Sequence, residues 1–303
     1  MKFLLLLIPF LTFSQEQTAK GFVLDTETKI PIPYVNISII KSKIGTSSDD
    51  DGSYILTIKD EDLSKSIKLS SLGYKDSTIV VSKFLNLDKV FLQPIAEELE
   101  EVVISEKFEE HFFEINPIRK KDIIGGFGGF KDHPYIFALY FPYQKTFNNT
   151  EYISIVKVFL NKKSFAHKLM PSKFRLRLFS IGIDSLPDRD LLSKSLIIET
   201  SKKQRDVEID LSEFNITFPE EGVFVALEWL HIPFNAYEFT YTKGKSKKKY
   251  TEIRYAPRLS WIKQKKSENY LVIYAIGRWV KQKIPYTSKD DFMIPAIFLT
   301  LSN

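Results

Sequence analysis

The chain reads as all-β, arranged as two successive β-sandwiches. Three observations predict this. Apolar residues recur at every second position in short runs, turn residues punctuate those runs, and few stretches carry apolar residues at helical spacing. At 303 residues and 44% hydrophobic, the chain is long enough to bury two cores. It contains no cysteine, so those cores must hold without disulfides.

The elements follow in order. Lys2 and the apolar run Phe3 to Phe13, with small residues Thr12 and Ser14 before Gln15, predict a signal peptide over residues 1–14. That run is too short to span a bilayer, where about 20 apolar residues are needed. The missing cysteine also removes the lipidation site of a bacterial lipoprotein. The expected location is outside the cytoplasm, in the periplasm or associated with the outer membrane or cell surface.

Residues 15–96 form the first expected domain. Val35, Ile37 and Ile39 alternate with Asn36 and Ser38, and Tyr54, Leu56 and Ile58 alternate with Ile55 and Thr57. Asp51-Gly52 predicts a hairpin between these runs, because glycine accepts a positive φ without steric cost. Leu72-Gly73-Tyr74 predicts a second corner, between Ile67–Leu69 and Ile79–Val81. The sum is a small antiparallel sandwich of about seven strands.

The residues Gly21-Phe22-Val23, Pro31-Ile32-Pro33-Tyr34-Val35, Gly45-Thr46, Asp51-Gly52-Ser53-Tyr54 and Leu72-Gly73-Tyr74 together resemble the carboxypeptidase regulatory-like domain. That resemblance covers about a quarter of the chain and implies a transthyretin-like sandwich. In cell-envelope proteins of Bacteroidota such a module often precedes another domain. Its implied role is structural or adhesive, with no catalytic residues to carry over.

Residues 97–107 lie in an acidic linker: from 97 to 110 there are seven Asp/Glu and one Lys, around Val102-Val103-Ile104. It is similar to the segment behind the same module in TonB-dependent receptors, which implies an accessory role in transport as one alternative. Residues 108–303 form the second expected domain. Phe174, Leu176 and Leu178 face away from Arg175 and Arg177; Val207, Ile209 and Leu211 alternate with Glu208 and Asp210; Val223, Val225, Leu227 and Trp229 share a face; Tyr270, Val272 and Tyr274 repeat the pattern. A jelly-roll-like β-sandwich is expected, with short helices near Asp188–Ser195 and within Phe108–Ile124. It resembles the uncharacterised sandwich found behind the regulatory module in the same envelope proteins.

Charge is partitioned. Residues 15–96 carry 10 Lys/Arg against 11 Asp/Glu, whereas 111–303 carry 31 against 20, a surplus of 11. A basic second domain suits an anionic partner such as an envelope polysaccharide or an acidic envelope protein, and allows peripheral membrane association. Export argues against nucleic acid, and no oligomeric state follows from the pattern.

Candidate chemistry is sparse. His111-Phe112-Phe113-Glu114 fits H-x-x-E and His231 lies 120 residues on, which raises a zinc peptidase. The all-β pattern and the domain order argue against it. Asp49, Asp50 and Asp51 fail as a calcium loop because Ile58 stands where a bidentate glutamate is needed. Gly125-Gly126-Phe127-Gly128-Gly129-Phe130 lacks the G-K-[ST] of a phosphate loop and reads as a bulge on which aromatics pack. Glu220 and Glu221 are too close in sequence to flank a glycosidic bond. No cysteine nucleophile and no G-x-S-x-G elbow occur. We therefore expect no enzyme, no metal and no cofactor, with a secreted hydrolase as the alternative. The candidate ligand-binding residues are Trp261 and Trp279, which lie beside cationic residues, and Lys245, Lys247 and Lys248 at an expected hairpin tip. Trp229, in phase with core residues, is expected to be buried.

Overall fold

The computed structural model describes residues 16–95, 111–129, 133–147, 150–161, 170–244, 248–265, 269–284 and 291–303. The expected signal peptide and acidic linker lie outside the described residues. The chain is all-β, and its sheets fall into two groups that share no strand pairing. No described helix is long and apolar enough to cross a membrane.

The first group has seven strands: β1 (Glu16–Asp25), β2 (Asn36–Ile39), β3 (Gly45–Ser47), β4 (Ser53–Lys59), β5 (Ser66–Ser70), β6 (Ser77–Val80) and β7 (Lys89–Leu92), with one helical turn, α1 (Val81–Phe84). They make a three-stranded sheet, β4-β1-β7, and a four-stranded sheet, β3-β2-β5-β6. Val23, Val35, Ile37, Ile39, Tyr54, Leu56, Ile58, Ile67 and Leu69 form the core between them. The alternation in β4 is as the sequence predicts, with Tyr54, Leu56 and Ile58 buried and Ile55 and Thr57 exposed. Gly73 turns the β5–β6 hairpin with φ of 82°.

Two expectations change. The Asp51-Gly52 turn forms, with Gly52 at φ 76°, but it is not a hairpin. β3 pairs with β2 and β4 with β1, so this turn carries the chain from one sheet to the other. The sandwich is not wholly antiparallel either, since β1 and β7 run parallel.

The second group comprises β8 (Phe112–Ile115), β9 (Ile123–Gly128), β10 (Ile136–Phe141), β11 (Tyr152–Phe159), β12 (Ser172–Ile181), β13 (Pro187–Asp190), β14 (Leu196–Thr200), β15 (Asp206–Asp210), β16 (Val223–Trp229), β17 (Ala236–Thr242), β18 (Lys249–Tyr255), β19 (Arg258–Lys265), β20 (Leu271–Ala275), β21 (Arg278–Gln282), β22 (Asp291–Pro295) and β23 (Ile297–Ser302). One layer is seven-stranded, β13-β12-β16-β10-β20-β21 with β14 also on β12. The other consists of β15-β11-β23-β8 and β22-β19-β9. These two sheets are linked where Ala296 joins β22 to β23 and by a bridge between Leu160 and Leu259. Phe137, Leu139, Val156, Val158, Phe174, Leu176, Val225, Leu227, Trp229, Leu299 and Leu301 fill the space between the layers. All described pairings here are antiparallel, as a sandwich of this kind requires.

Of the expected short helices, the one near Asp188–Ser195 is absent and the other is reduced to a single 3-10 turn among the described residues. Residues 187–190 form β13, held to β12 by Leu191 N–H donating to Leu178 C=O at 2.7 Å. The described part of residues 108–124 contains β8 and a single 3-10 turn, Lys120–Asp122. Gly125 to Gly128 of the glycine run lie in strand β9, whose register against β19 slips between Trp261 and Ile262, a bulge. A Cβ on Gly129 would lie 2.7 Å from Trp229 Cδ1 and 2.6 Å from the Tyr255 carbonyl oxygen, so an aromatic does pack on bare backbone there.

Burial also departs from the alternation rule on the seven-stranded sheet. Arg175 lies on the face opposite Phe174, Leu176 and Leu178, as expected, yet it is 1% exposed, and Glu228 beside it on β16 is 0% exposed. Every residue of β16 is buried, because the outer face of this sheet is covered as well as its inner face. What covers the Arg175–Glu228 end is the first sandwich: Tyr34 packs with Leu230 and Ile232, and Asn36 Nδ2 reaches Glu228 Oε1 at 3.4 Å. Tyr270, Val272 and Tyr274 do share a face, but it is this outer face, with Ile136, Ala138, Phe179 and Phe224.

Candidate functional site

β17 and β18 pair only with each other among the described strands, so they form a two-stranded ribbon. A lone ribbon is marginal in water unless its base is tied down. Here Tyr237 at the base is buried and Tyr255 stacks on the His231 ring at 3.9 Å and 12°. The register places Tyr237 opposite Arg254, Phe239 opposite Glu252 and Tyr241 opposite Tyr250, all on one face. The other face carries Thr240 and Thr251, whose hydroxyls lie 3.0 Å apart.

The first face is an aromatic ladder. Phe239 and Tyr241 stack at 5.9 Å, and Tyr241 and Tyr250 at 5.8 Å. The Arg254 guanidinium lies 3.7 Å over Phe239, while Lys243 and Lys248 amines lie 4.9 and 5.5 Å from the Tyr250 ring centre. Each ring remains half-exposed. Flat apolar rings alternating with cations bind by stacking and charge. Glu252 is paired with Arg254, 2.7 Å away.

The sequence-predicted site residues divide. Lys248 is exposed on this ribbon, and Lys245 and Lys247 lie outside the described residues. Trp261 is corrected: it is 5% exposed and packs against Phe127 at 5.0 Å and Phe137 at 6.3 Å in the main core. It pairs with Gly125, and β19 leaves the core only at Lys263. Trp279 is half-buried on the outer face of the large sheet, edge-on to Phe179 at 5.6 Å and Tyr274 at 5.3 Å. The two tryptophans therefore belong to different layers and do not form one platform. Trp229 is buried as expected, donating its indole N–H to Pro257 C=O at 2.9 Å. Phe239, Tyr241, Tyr250 and Arg254 were not singled out from sequence, although their two-residue spacing on either side of the lysines was the available signal.

A second polar centre sits between the sandwiches. Arg175 donates from Nη1 to Glu228 Oε2 at 3.0 Å, from Nη2 to the Tyr34 carbonyl at 2.6 Å and from Nε to Ser195 Oγ at 2.9 Å. Arg177 lies 3.5 Å from the same Glu228 oxygen and 2.7 Å from Asp190. Burial opposes ionisation of Glu228, yet the Arg175 and Arg177 charges outweigh it and hold its carboxyl below the usual range. For Asp190 burial prevails over Arg177 and its pKa is raised. All of Glu228's neighbours are structural partners, which marks this cluster as a lock between domains.

Beside the lock lies a cleft of about 560 Å³, bounded by Gly45, Ser47 and the length of β4 on one side and by His231, Pro233, Ala236 and Tyr255 on the other. His231 is 3% exposed, and burial, reinforced by His133, pushes its pKa well below the ordinary value. Its Nε2 has no hydrogen-bond partner among the described residues.

The zinc constellation does not assemble. His111 and the exposed Glu114 sit at and beside the edge strand β8 of one layer, whereas His231 follows β16 of the opposite layer. Among the described residues no group of three His, Asp or Glu is placed to hold a metal.

Comparison with known proteins bears on the first sandwich. Over 100 residues the chain is 34% identical to TonB-dependent receptor P3 of Formosa agariphila, an alignment covering 33% of this chain and 10% of the receptor. The chain thus spans about a tenth of the length of that relative. Residues 19–104 match the family model described as CarboxypepD_reg-like domain, so this family's signature belongs to the N-terminal sandwich and not to the chain as a whole.

Proposed function

We propose that this is a non-enzymatic binding protein of the cell envelope, in which the N-terminal sandwich is a rigid scaffold and the β17–β18 ribbon takes an acidic polysaccharide. The observation that carries this reading is the half-exposed ladder Phe239, Tyr241 and Tyr250 interleaved with Arg254, Lys243 and Lys248. Aromatic faces accept the apolar faces of sugar rings, and the adjacent cations pair with carboxylate or sulfate groups. The surplus of 11 positive charges over residues 111–303 draws such a polymer in.

Affinity electrophoresis of the mature protein through gels containing polygalacturonate, a sulfated galactan or a neutral glucan tests the reading. Retardation is expected in the acidic gels only, weakening as salt rises. Tyr241→Ala removes the middle ring and is expected to weaken binding by about tenfold, equivalent to ~1.4 kcal/mol of stacking. Equal mobility of both proteins in every gel would overturn it.

A transport-associated role is the second reading, favoured by the identity to a TonB-dependent receptor over 100 residues. Co-purification of a receptor partner with the tagged full chain, lost when residues 97–107 are deleted, would support it over polysaccharide binding.

A further inference from the structure

The cleft between the sandwiches has one wall made of an unpaired strand edge. β4 ends the sheet β4-β1-β7, with β1 on one side and no described strand on the other. Val23 N–H donates to Gly52 C=O at 2.9 Å, and the register then places Gly21 with Tyr54, Ala19 with Leu56 and Gln17 with Ile58 as the hydrogen-bonded pairs. The backbone N–H and C=O groups of Ile55, Thr57 and Lys59 consequently point away from β1, toward the cleft. Ser53, the next residue in that phase, is already satisfied by Asp49 N–H and the Asp51 carboxylate. Ile55 and Thr57 have no such partner among the described residues, while the Lys59 carbonyl opens the 3-10 turn Asp60–Asp62. The neighbouring edge, β3, is capped instead, by Ser47 N–H donating to His231 C=O at 3.4 Å and His231 N–H donating to Ser47 Oγ at 3.1 Å.

The geometry points to β4 as an acceptor for one extended polypeptide segment of a partner protein, added as a fourth strand in this cleft. Three features select that occupant. A row of outward N–H and C=O groups at strand spacing is complemented in full only by another extended backbone. Seven residues of β4 span roughly 20 Å, so about 560 Å³ along that length makes a channel one chain wide, matching the ~4.8 Å strand spacing. The far wall of His231, Pro233, Ala236 and Tyr255 closes the channel to the edge of a second folded sheet.

The apolar pattern of the partner follows from the outer face of the same sheet. Ile55 is 61% exposed, Phe22 on β1 42% and Phe91 on β7 43%, forming a stripe across all three strands. A strand added beside Ile55 extends this stripe, so the segment would carry apolar residues at alternate positions. The cleft adjoins the base of the ribbon at Ala236 and Tyr255 but does not include the ladder of Phe239, Tyr241 and Tyr250, and it does not depend on polysaccharide binding.

The test is to pan a displayed random heptapeptide library on the mature full-length protein, then measure the enriched peptides as synthetic probes by fluorescence anisotropy. Enriched peptides should alternate apolar and polar residues. N-methylation of the alternate amides facing β4 should weaken binding about tenfold, and methylation of the other set should not. Thr57→Pro removes one outward N–H without touching the β1 ladder and should also cost about tenfold. Should that variant not fold, Ile55→Ser alters only the exposed side chain and should weaken binding by about threefold. Failure to enrich any peptide, or binding indifferent to both methylation phase and the β4 variants, overturns the proposal. Concentration-dependent dimerisation abolished by the β4 variants would overturn it in favour of a second copy of this chain. Polysaccharide retention by the same variants separates failure here from failure of the ribbon reading.

Discussion

His231 couples the cleft to pH. Its folded-state pKa lies well below the ordinary value near 6.5, because burial disfavours the cation and His133 adds to the effect. As pH falls below about 6.5 the unfolded chain takes up a proton that the folded chain refuses. Stability is then lost, by up to ~1.4 kcal/mol per pH unit, until the folded pKa is reached. The depressed Glu228 group loses its contribution only below about 4.5, and Asp190, whose pKa is raised, runs in the opposite direction. Of these three groups, His231 is the one that loses stability as pH falls from 6.5 to 4.5. The melting temperature should fall from pH 7.5 to pH 5.5, and His231→Phe, which keeps the stack on Tyr255, should flatten that dependence in thermal scans. Sequence reading weighed His231 only as a metal ligand. Nothing in Leu230-His231-Ile232 marks it as a domain contact, since its burial is supplied by residues such as Thr46 and Ser47, some 185 positions away.

Strands were the most legible elements. In β4 and β15 one face meets a core and the other meets water, so hydrophobic alternation maps directly onto burial. The glycine-rich run was legible in its consequence but not its form, for nothing local distinguishes a bulged strand from a loop when side chains are missing. Gly129 is where that form is enforced. Alanine there would press a methyl against the Tyr255 carbonyl and the Trp229 ring, both fixed by other contacts. Gly129→Ala should cost ~1–3 kcal/mol by overpacking, measured by urea unfolding. The ribbon was half legible: the lysines stood out as a charge run, while the ladder appears only once β17 and β18 are placed in register. Trp261 misled because neighbouring cations in a strand report where the chain is going and not where a given ring points.

At the scale of the molecule, the two-sandwich organisation was readable and the joint between the sandwiches was not. Arg175 and Glu228 sit where a period-two pattern calls for solvent, and only the docking of Tyr34 and Asn36 turns that face into an interior. Charges buried in this manner are costly to separate: removing one partner from such a pair costs ~3–5 kcal/mol. Glu228→Gln leaves Arg175 and Arg177 facing each other without their shared counterion. The wild-type protein should unfold in one calorimetric transition, and Glu228→Gln should split it into two as the sandwiches uncouple. A single transition merely displaced to lower temperature would show that the joint is held by its apolar contacts, Tyr34 with Leu230 and Ile232.

The same joint has a hereditary consequence. Asn36 and Glu228 are encoded nearly two hundred codons apart, yet they share one interior, and Arg175 reads a main-chain carbonyl that any residue at position 34 would supply. Drift at position 34 is thus tolerated electrostatically, whereas a change at Glu228 demands a compensating change at Arg175. Recombination that exchanged the first sandwich for another of the same shape would preserve the Arg175 contact through the backbone while forfeiting side-chain contacts such as those of Asn36 and Ser47, so the buried charges are strict toward their own domain and permissive toward their neighbour.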